Sequence, residues 1–126
     1  MSFVFDKQEK YTIVKAKVEK LDGNVSPFLK SELVLINSQG EKNIIIDLSE
    51  TRYCDSSGLS AILVGNRLCK NAKGCFVITG LQDSVKKLIT ISQLDTILNI
   101  TPTVSEAVDL LFMQEVEREL GDEEEK

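Results

Sequence analysis

The chain has 126 residues, the size of one domain, with 42% hydrophobic and 28% charged residues and neither histidine nor tryptophan. Without histidine it has no Ser-His-Asp or Cys-His catalytic arrangement, no histidine metal site and no histidine pH switch. The formal net charge is -5, and residues 115–126 hold all of it with seven acids and two bases; the rest is neutral and has no general field for gathering nucleic acid.

Residues 3–6 and 11–18 read as two strands joined by a polar turn over Lys7–Lys10. In the second strand Thr12, Val14, Ala16 and Val18 line one face, and Tyr11, Ile13, Lys15 and Lys17 the other. Leu21-Asp22-Gly23-Asn24 is a turn-rich break. Ser26 then Pro27 reads as an N-cap and first helical residue; Leu29, Leu33 and Ile36 continue a helix to about Ser38, and Gly40 stops it. Asn43 to Leu48 is a β-branched run apolar in its middle, as a strand covered on both faces requires. After the Ser49–Asp55 loop, a helix over 57–73 carries the stripe Ala61, Val64, Gly65, Leu68 and Ala72, widened by Leu59 and Ile62, with Gly74 as its stop. Cys75–Thr79 is a further buried strand. Asp83 or Ser84 caps a short helix with Val85, Leu88 and Ile89, and Thr96–Ile100 is a last short strand. The Thr103-x-x-Glu106 capping box opens a final helix whose apolar stripe is Val104, Ala107, Val108 and Leu111. The order is β-β-α-β-α-β-α-β-α. That pattern predicts an α/β fold: one domain over 1–114 with a mixed, mostly parallel sheet of about five strands and about four helices. Residues 115–126 are expected to be a solvated, frayed acidic extension.

No apolar run approaches the roughly 18 residues of a membrane span, and the N-terminus has neither the basic nor the apolar region of a secretory leader. No membrane insertion is expected. The three cysteines, Cys54, Cys69 and Cys75, are odd in number and lack CxxC spacing, so they read as free structural thiols in a reducing cytoplasm rather than as a metal site. No phosphate loop, dinucleotide fingerprint or nucleophile elbow is present. Neither catalytic residues nor a cofactor are expected, and the protein reads as a non-enzyme.

Polar residues concentrate in Tyr53-Cys54-Asp55-Ser56-Ser57-Gly58, between a buried strand and a helix start, where open α/β sheets tend to carry ligands and modifications. Asp55 or Ser56 caps the helix, and the free N–H groups there would partly accommodate a phosphoryl group on Ser56. A plain N-cap followed by a turn glycine accounts for the same residues.

From Asn43 onward, NIIIDLSETRYCDSSGLSAIL, GCFVITGLQDSVKKLITISQLDTILNI and TVSEAVDLL resemble the STAS domain shared by sulfate transporters and anti-sigma-factor antagonists. Asp55-Ser56-Ser57-Gly58-Leu59 matches the family signature letter for letter. In the antagonist branch the serine after the aspartate is phosphorylated, which by position is Ser56. The resemblance implies a partner switch: the unmodified protein binds an anti-sigma factor that is also a serine kinase, phosphorylation of Ser56 releases it, and a serine phosphatase resets the switch. It implies a docking surface of Asp22, Asp55, Ser56, Ser57 and Gly58, extended by Asn66, Arg67 and Lys70 along the exposed side of the following helix. Where antagonists often read Gly-Glu-Leu-Asp or Gly-Asp-Ile-Asp, this chain has Glu19-Lys20-Leu21-Asp22, which keeps only the last acid in place. Two alternatives remain. One is an adaptor for a non-kinase partner, such as an ABC lipid-transport ATPase or a stressosome-like scaffold. The other is a nucleotide or small-molecule sensor.

Overall fold

The structure, a computed structural model, describes the backbone of residues 2–124 and the side chains of 2–121. Strands β1 (Phe3–Lys7) and β2 (Thr12–Ala16) form an antiparallel hairpin. The chain then runs through β3 (Lys20–Leu21), α1 (Ser26–Ser38), β4 (Ile44–Asp47), β5 (Tyr53–Cys54), α2 (Ser56–Asn71), β6 (Phe76–Thr79), α3 (Asp83–Ile91), a 3₁₀ turn, β7 (Asn99–Thr101) and α4 (Val104–Glu124). The main sheet has the order β1-β2-β4-β6-β7, parallel from β2 onward. Each crossover carries one helix, as the alternating pattern predicts.

Alternation along the strands divides the core in two. Val14, Ala16, Ile44, Ile46, Phe76 and Ile78 face α1, α2 and α3 and meet Leu29, Leu33, Ala61, Ile62, Val85 and Ile89. Ile45, Cys75 and Val77 face the other way and meet Ala107 and Leu111 of α4. The isoleucine run in β4 is therefore buried on both faces, and the 3.6-residue stripes of the helices supply both covers.

Several local details depart from the sequence reading. A second, two-stranded parallel sheet pairs β3 with β5, Lys20 opposite Tyr53 and Leu21 opposite Cys54. The cap of α1 is Val25, with no side-chain bond; the carbonyl of Asp22 accepts from the N–H groups of Val25 and Ser26 instead, and Ser26 is buried inside the first turn. The stripe of α2 is centred on Gly58, Ala61, Ile62, Gly65 and Cys69, while Ala72 is exposed. The stop of α1 is as expected: Gly40 follows its end with φ +101°, a conformation that a side chain would disfavour.

The largest difference lies at the C-terminus. Helix α4 crosses residue 114 without a break and continues to Glu124. Thr103 starts it as expected, its Oγ1 accepting from the N–H of Glu106 at 3.2 Å. Beyond the apolar stripe, polar residues fasten it. Gln114 Nε2 donates to Asn99 Oδ1, Asn43 Nδ2 donates to Glu115 Oε1, and Arg118 donates to both Glu115 and the Gly74 carbonyl. The first part of the acidic extension is thus pinned to the body rather than frayed. Residues 125 and 126 lie outside the described residues.

Candidate functional site

The small β3–β5 sheet builds the site. Its two parallel strands end side by side, and each runs directly into the start of a helix. The Asp22–Asn24 turn leads into α1, and Asp55 leads into α2. Asp22 Oδ1 accepts from the N–H of Asn24 at 3.0 Å, which closes the first turn. Asp55 adopts an extended backbone and caps α2, so of the two residues that could cap this helix it is the aspartate that does. Its Oδ1 accepts from Ser57 N–H at 2.9 Å, Gly58 N–H at 3.1 Å and Ser57 Oγ at 2.5 Å. The Ser57 hydroxyl, then the Gly58 N–H, hold the Asp55 carboxyl below the usual carboxylate range; desolvation opposes them, and the N–H groups of Ser57 and Gly23 add to the lowering.

The three serines of the segment differ. Ser57 is half-buried, and its hydroxyl is committed to Asp55, with a longer 3.5 Å approach to Ser26 Oγ. Ser60 is half-buried and accepts from Lys30 Nζ of α1 at 3.3 Å. Ser56 is exposed, and its hydroxyl has no partner among the described residues. The N–H groups of residues 57 and 58 are already taken by Asp55, so they do not form the free phosphate cradle expected from the sequence. A phosphoryl group on Ser56 would instead stand beside a committed carboxylate and project outward.

The remaining candidates divide. Asp22 is half-buried on the adjoining turn. Gly58 is buried: a Cβ there would lie 2.4 Å from the Leu21 carbonyl oxygen and 2.6 Å from Cys54 Sγ, so this glycine lets α2 approach the β3–β5 sheet and offers no docking surface. Asn66 is only 8% exposed and belongs to the buried side of α2, which corrects its assignment to the solvent face. Arg67 and Lys70 are exposed. Eleven and fourteen residues after Ser56, they fall on the same strip of the helix, about 16 and 21 Å along its axis. Two exposed aromatic residues escaped the sequence reading: Phe28 in the first turn of α1, stacked on Phe3 at 5.9 Å, and Tyr53 in β5. Phe28 stands one residue out of phase with the Leu29–Leu33 stripe, and that offset was its only signal.

The thiols of Cys54, Cys69 and Cys75 are free and buried, and burial pushes them up to about 11, 12 and 11 respectively. Among the described residues no three acids or cysteines group around a cation position, and no helix is long and apolar enough to cross a membrane.

Comparison with known proteins fits this geometry. A sequence profile of the STAS domain matches residues 3–107. A candidate anti-sigma-factor antagonist of Thermotoga maritima superposes with a TM-score of 0.78 at 22% identity, over 86% of this chain and 93% of its own. The phosphorylated form of SpoIIAA, a Bacillus cell-fate determinant, gives 0.68 at 19% identity, over 85% and 96%. A serine-to-glutamate variant of RsbS from Moorella thermoacetica gives 0.72 at 24% identity, over 88% and 95%. At these identities the likeness is one of fold.

Proposed function

The chain belongs to the STAS-domain family, and we propose that it is an anti-sigma-factor antagonist whose docking face is switched by phosphorylation of Ser56. The observation that carries this reading is the contrast between neighbouring hydroxyls: Ser56 is exposed and unengaged, whereas Ser57 and Ser60 are held by Asp55 and Lys30. A kinase needs an accessible hydroxyl, and of these three only Ser56 offers one. The unmodified loop, with the Asp22 turn beside it and Arg67 and Lys70 further along α2, docks an anti-sigma serine kinase in the cytoplasm. A serine phosphatase restores that state. The protein acts as binder and substrate, not as catalyst.

The electrostatics support release without refolding. Phosphorylation adds about -1.5 to -2 charges to a neutral hydroxyl. Here the new charge sits next to an ionised Asp55 whose nearest donors are already in use. In a closed interface it brings bulk, desolvation and repulsion, and a hundredfold loss of affinity requires only about 2.7 kcal/mol.

The test is fragment-ion mass spectrometry of protein isolated from its native cells under phosphatase inhibition, paired with binding assays of two variants. Phosphate should appear on Ser56 within the tryptic peptide Tyr53–Arg67. Ser56→Ala should bind the kinase and resist release by ATP, and Ser56→Glu should bind weakly. Phosphate confined to Ser57 or Ser60, or equal binding by Ser56→Glu and the wild type, would refute the proposal. Persistent absence of phosphate would reassign the loop to an unregulated adaptor.

A further inference from the structure

Helix α4 is apolar on two sides. Its 21 residues span about 31 Å, and its inner side is spent on the sheet and on the contacts of Gln114, Glu115 and Arg118. Its outer side carries Phe112, Met113, Val116 and Leu120, which are 39%, 62%, 53% and 53% exposed. At 3.6 residues per turn these four form one continuous stripe. A hollow of about 500 Å³ opens along it between Asp109, Phe112, Met113, Val116 and Glu117. Scattered exposed hydrophobic residues need no explanation, but a stripe of four large ones on a single helix does.

The charge around the stripe limits what covers it. By helical rotation Glu119 borders one side and Glu117 the other, with Asp109 at the N-terminal end; all three are exposed. The only base within the helix is Arg118, and its guanidinium turns inward to Glu115 and the Gly74 carbonyl. Off the helix, Lys10 of the β1–β2 turn lines the flank beside Phe112, Val116 and Glu119, one base at one edge of the stripe. Stacking α4 on α4 of a second copy would therefore set mostly acids against acids, with no free base on either helix to meet them. An amphipathic helix with an apolar face bordered by lysine or arginine would meet both the stripe and its rim.

We infer that the outer face of α4 is a second docking site, for a basic amphipathic helix of another protein. It lies on the opposite side of the sheet from α1 and α2, whose starts carry the Ser56 loop. Occupation of one site leaves the other open.

The probe is a synthetic peptide of about 18 leucines and lysines with the leucines at helical spacing, alongside a scrambled peptide of identical composition. Binding to the full chain is read by fluorescence anisotropy at low and high salt, and the free protein is examined by sedimentation. The patterned peptide should bind and the scrambled one should not. Val116→Asp and Met113→Gln should each weaken binding about tenfold or more. Both positions are exposed, so both variants should melt like the wild type. Salt should weaken the complex, and Ser56→Ala should leave it unchanged, so this site and the phosphorylation switch stand or fall separately. Equal binding of the scrambled peptide would reduce the site to nonspecific charge attraction and overturn the inference. So would undiminished binding by Val116→Asp, or a dimer of the free protein that this substitution disperses, since the stripe would then be covered by a second copy.

Discussion

Replacing Gly58 with alanine tests how the site is assembled. The new Cβ would lie 2.4 Å from the Leu21 carbonyl oxygen, against 3.4–4 Å for an ordinary contact, and 2.6 Å from Cys54 Sγ. The carbonyl belongs to the β3–β5 sheet and has no side-chain freedom to give way, so the start of α2 must retreat by about 1 Å, the difference between 2.4 and 3.4 Å. That movement stretches the bond from the Asp55 N–H to the same carbonyl, already 3.3 Å long. Overpacking of a filled site costs about 1–3 kcal/mol, and a clash against backbone on one side and a buried sulfur on the other belongs in the upper half of that range. With an unfolding entropy of roughly 2.1 cal/mol/K per residue over this chain, about 2–3 kcal/mol lowers Tm by roughly 7–11 °C. The assay is calorimetric melting of wild type and Gly58→Ala, with Gly121→Ala as the control. A Cβ at Gly121 meets nothing within 4 Å, so that helical glycine should accept alanine with no loss of Tm. An unchanged Tm for Gly58→Ala would refute the close approach of α2 to the β3–β5 sheet, and with it the geometry that places Ser56 beside the Asp22 turn.

Two further predictions concern ionisation. The Asp55 carboxyl is held below its ordinary value of 3.8, so its cap contributes stability that is present above that pH and is lost as pH falls through the lower folded-state value. The Tm difference between wild type and Asp55→Ala should be constant between about pH 5 and 8 and should close in acid below about pH 4; a difference that widens in acid would reverse the assigned sign. The buried thiols, raised to about 11 or 12, should not react with an aromatic disulfide reagent at pH 8 in the native protein, and all three should react once guanidinium unfolds it. Rapid labelling of native Cys54 would show that the start of α2 opens locally.

Periodicity made the main sheet and its helices readable. Ile44–Ile46 and Phe76–Ile78 are too apolar for anything but buried strands at this length, and the stripes of α1 and α3 are intact in the fold. Neither β3 nor β5 could be found this way. Two-residue strands have no period, and their pairing joins positions 33 apart in sequence. The same limit hid the buried state of Gly58, whose neighbours Leu21 and Cys54 are set by that pairing. Asn66 looked solvent-facing because a polar side chain usually is, yet its position between Ile62 and Cys69 on α2 turns it inward. Beyond residue 114 α4 is held to the body by Arg118, which reaches a backbone carbonyl 44 residues away, and composition cannot encode such a contact. Ser56 was legible from the signature. Its distinction from Ser57 required seeing which hydroxyl Asp55 had claimed.

The order of strands in the main sheet is also their order in the chain. During synthesis each new strand can join the edge left by the one before it, so the sheet can grow in step with translation, each parallel addition closing only its own crossover. Its second face is another matter. Ile45, Cys75 and Val77 have no cover until Ala107 and Leu111 arrive on the last helix. At about 5–20 residues per second, the 21 residues of α4 take roughly 1–4 s to synthesise, and the helix cannot close over the sheet before they have been made. For that interval the nascent domain carries an apolar sheet face open to water. The acids that follow residue 114 begin on the helix that closes that face, so the charge is made together with the cover.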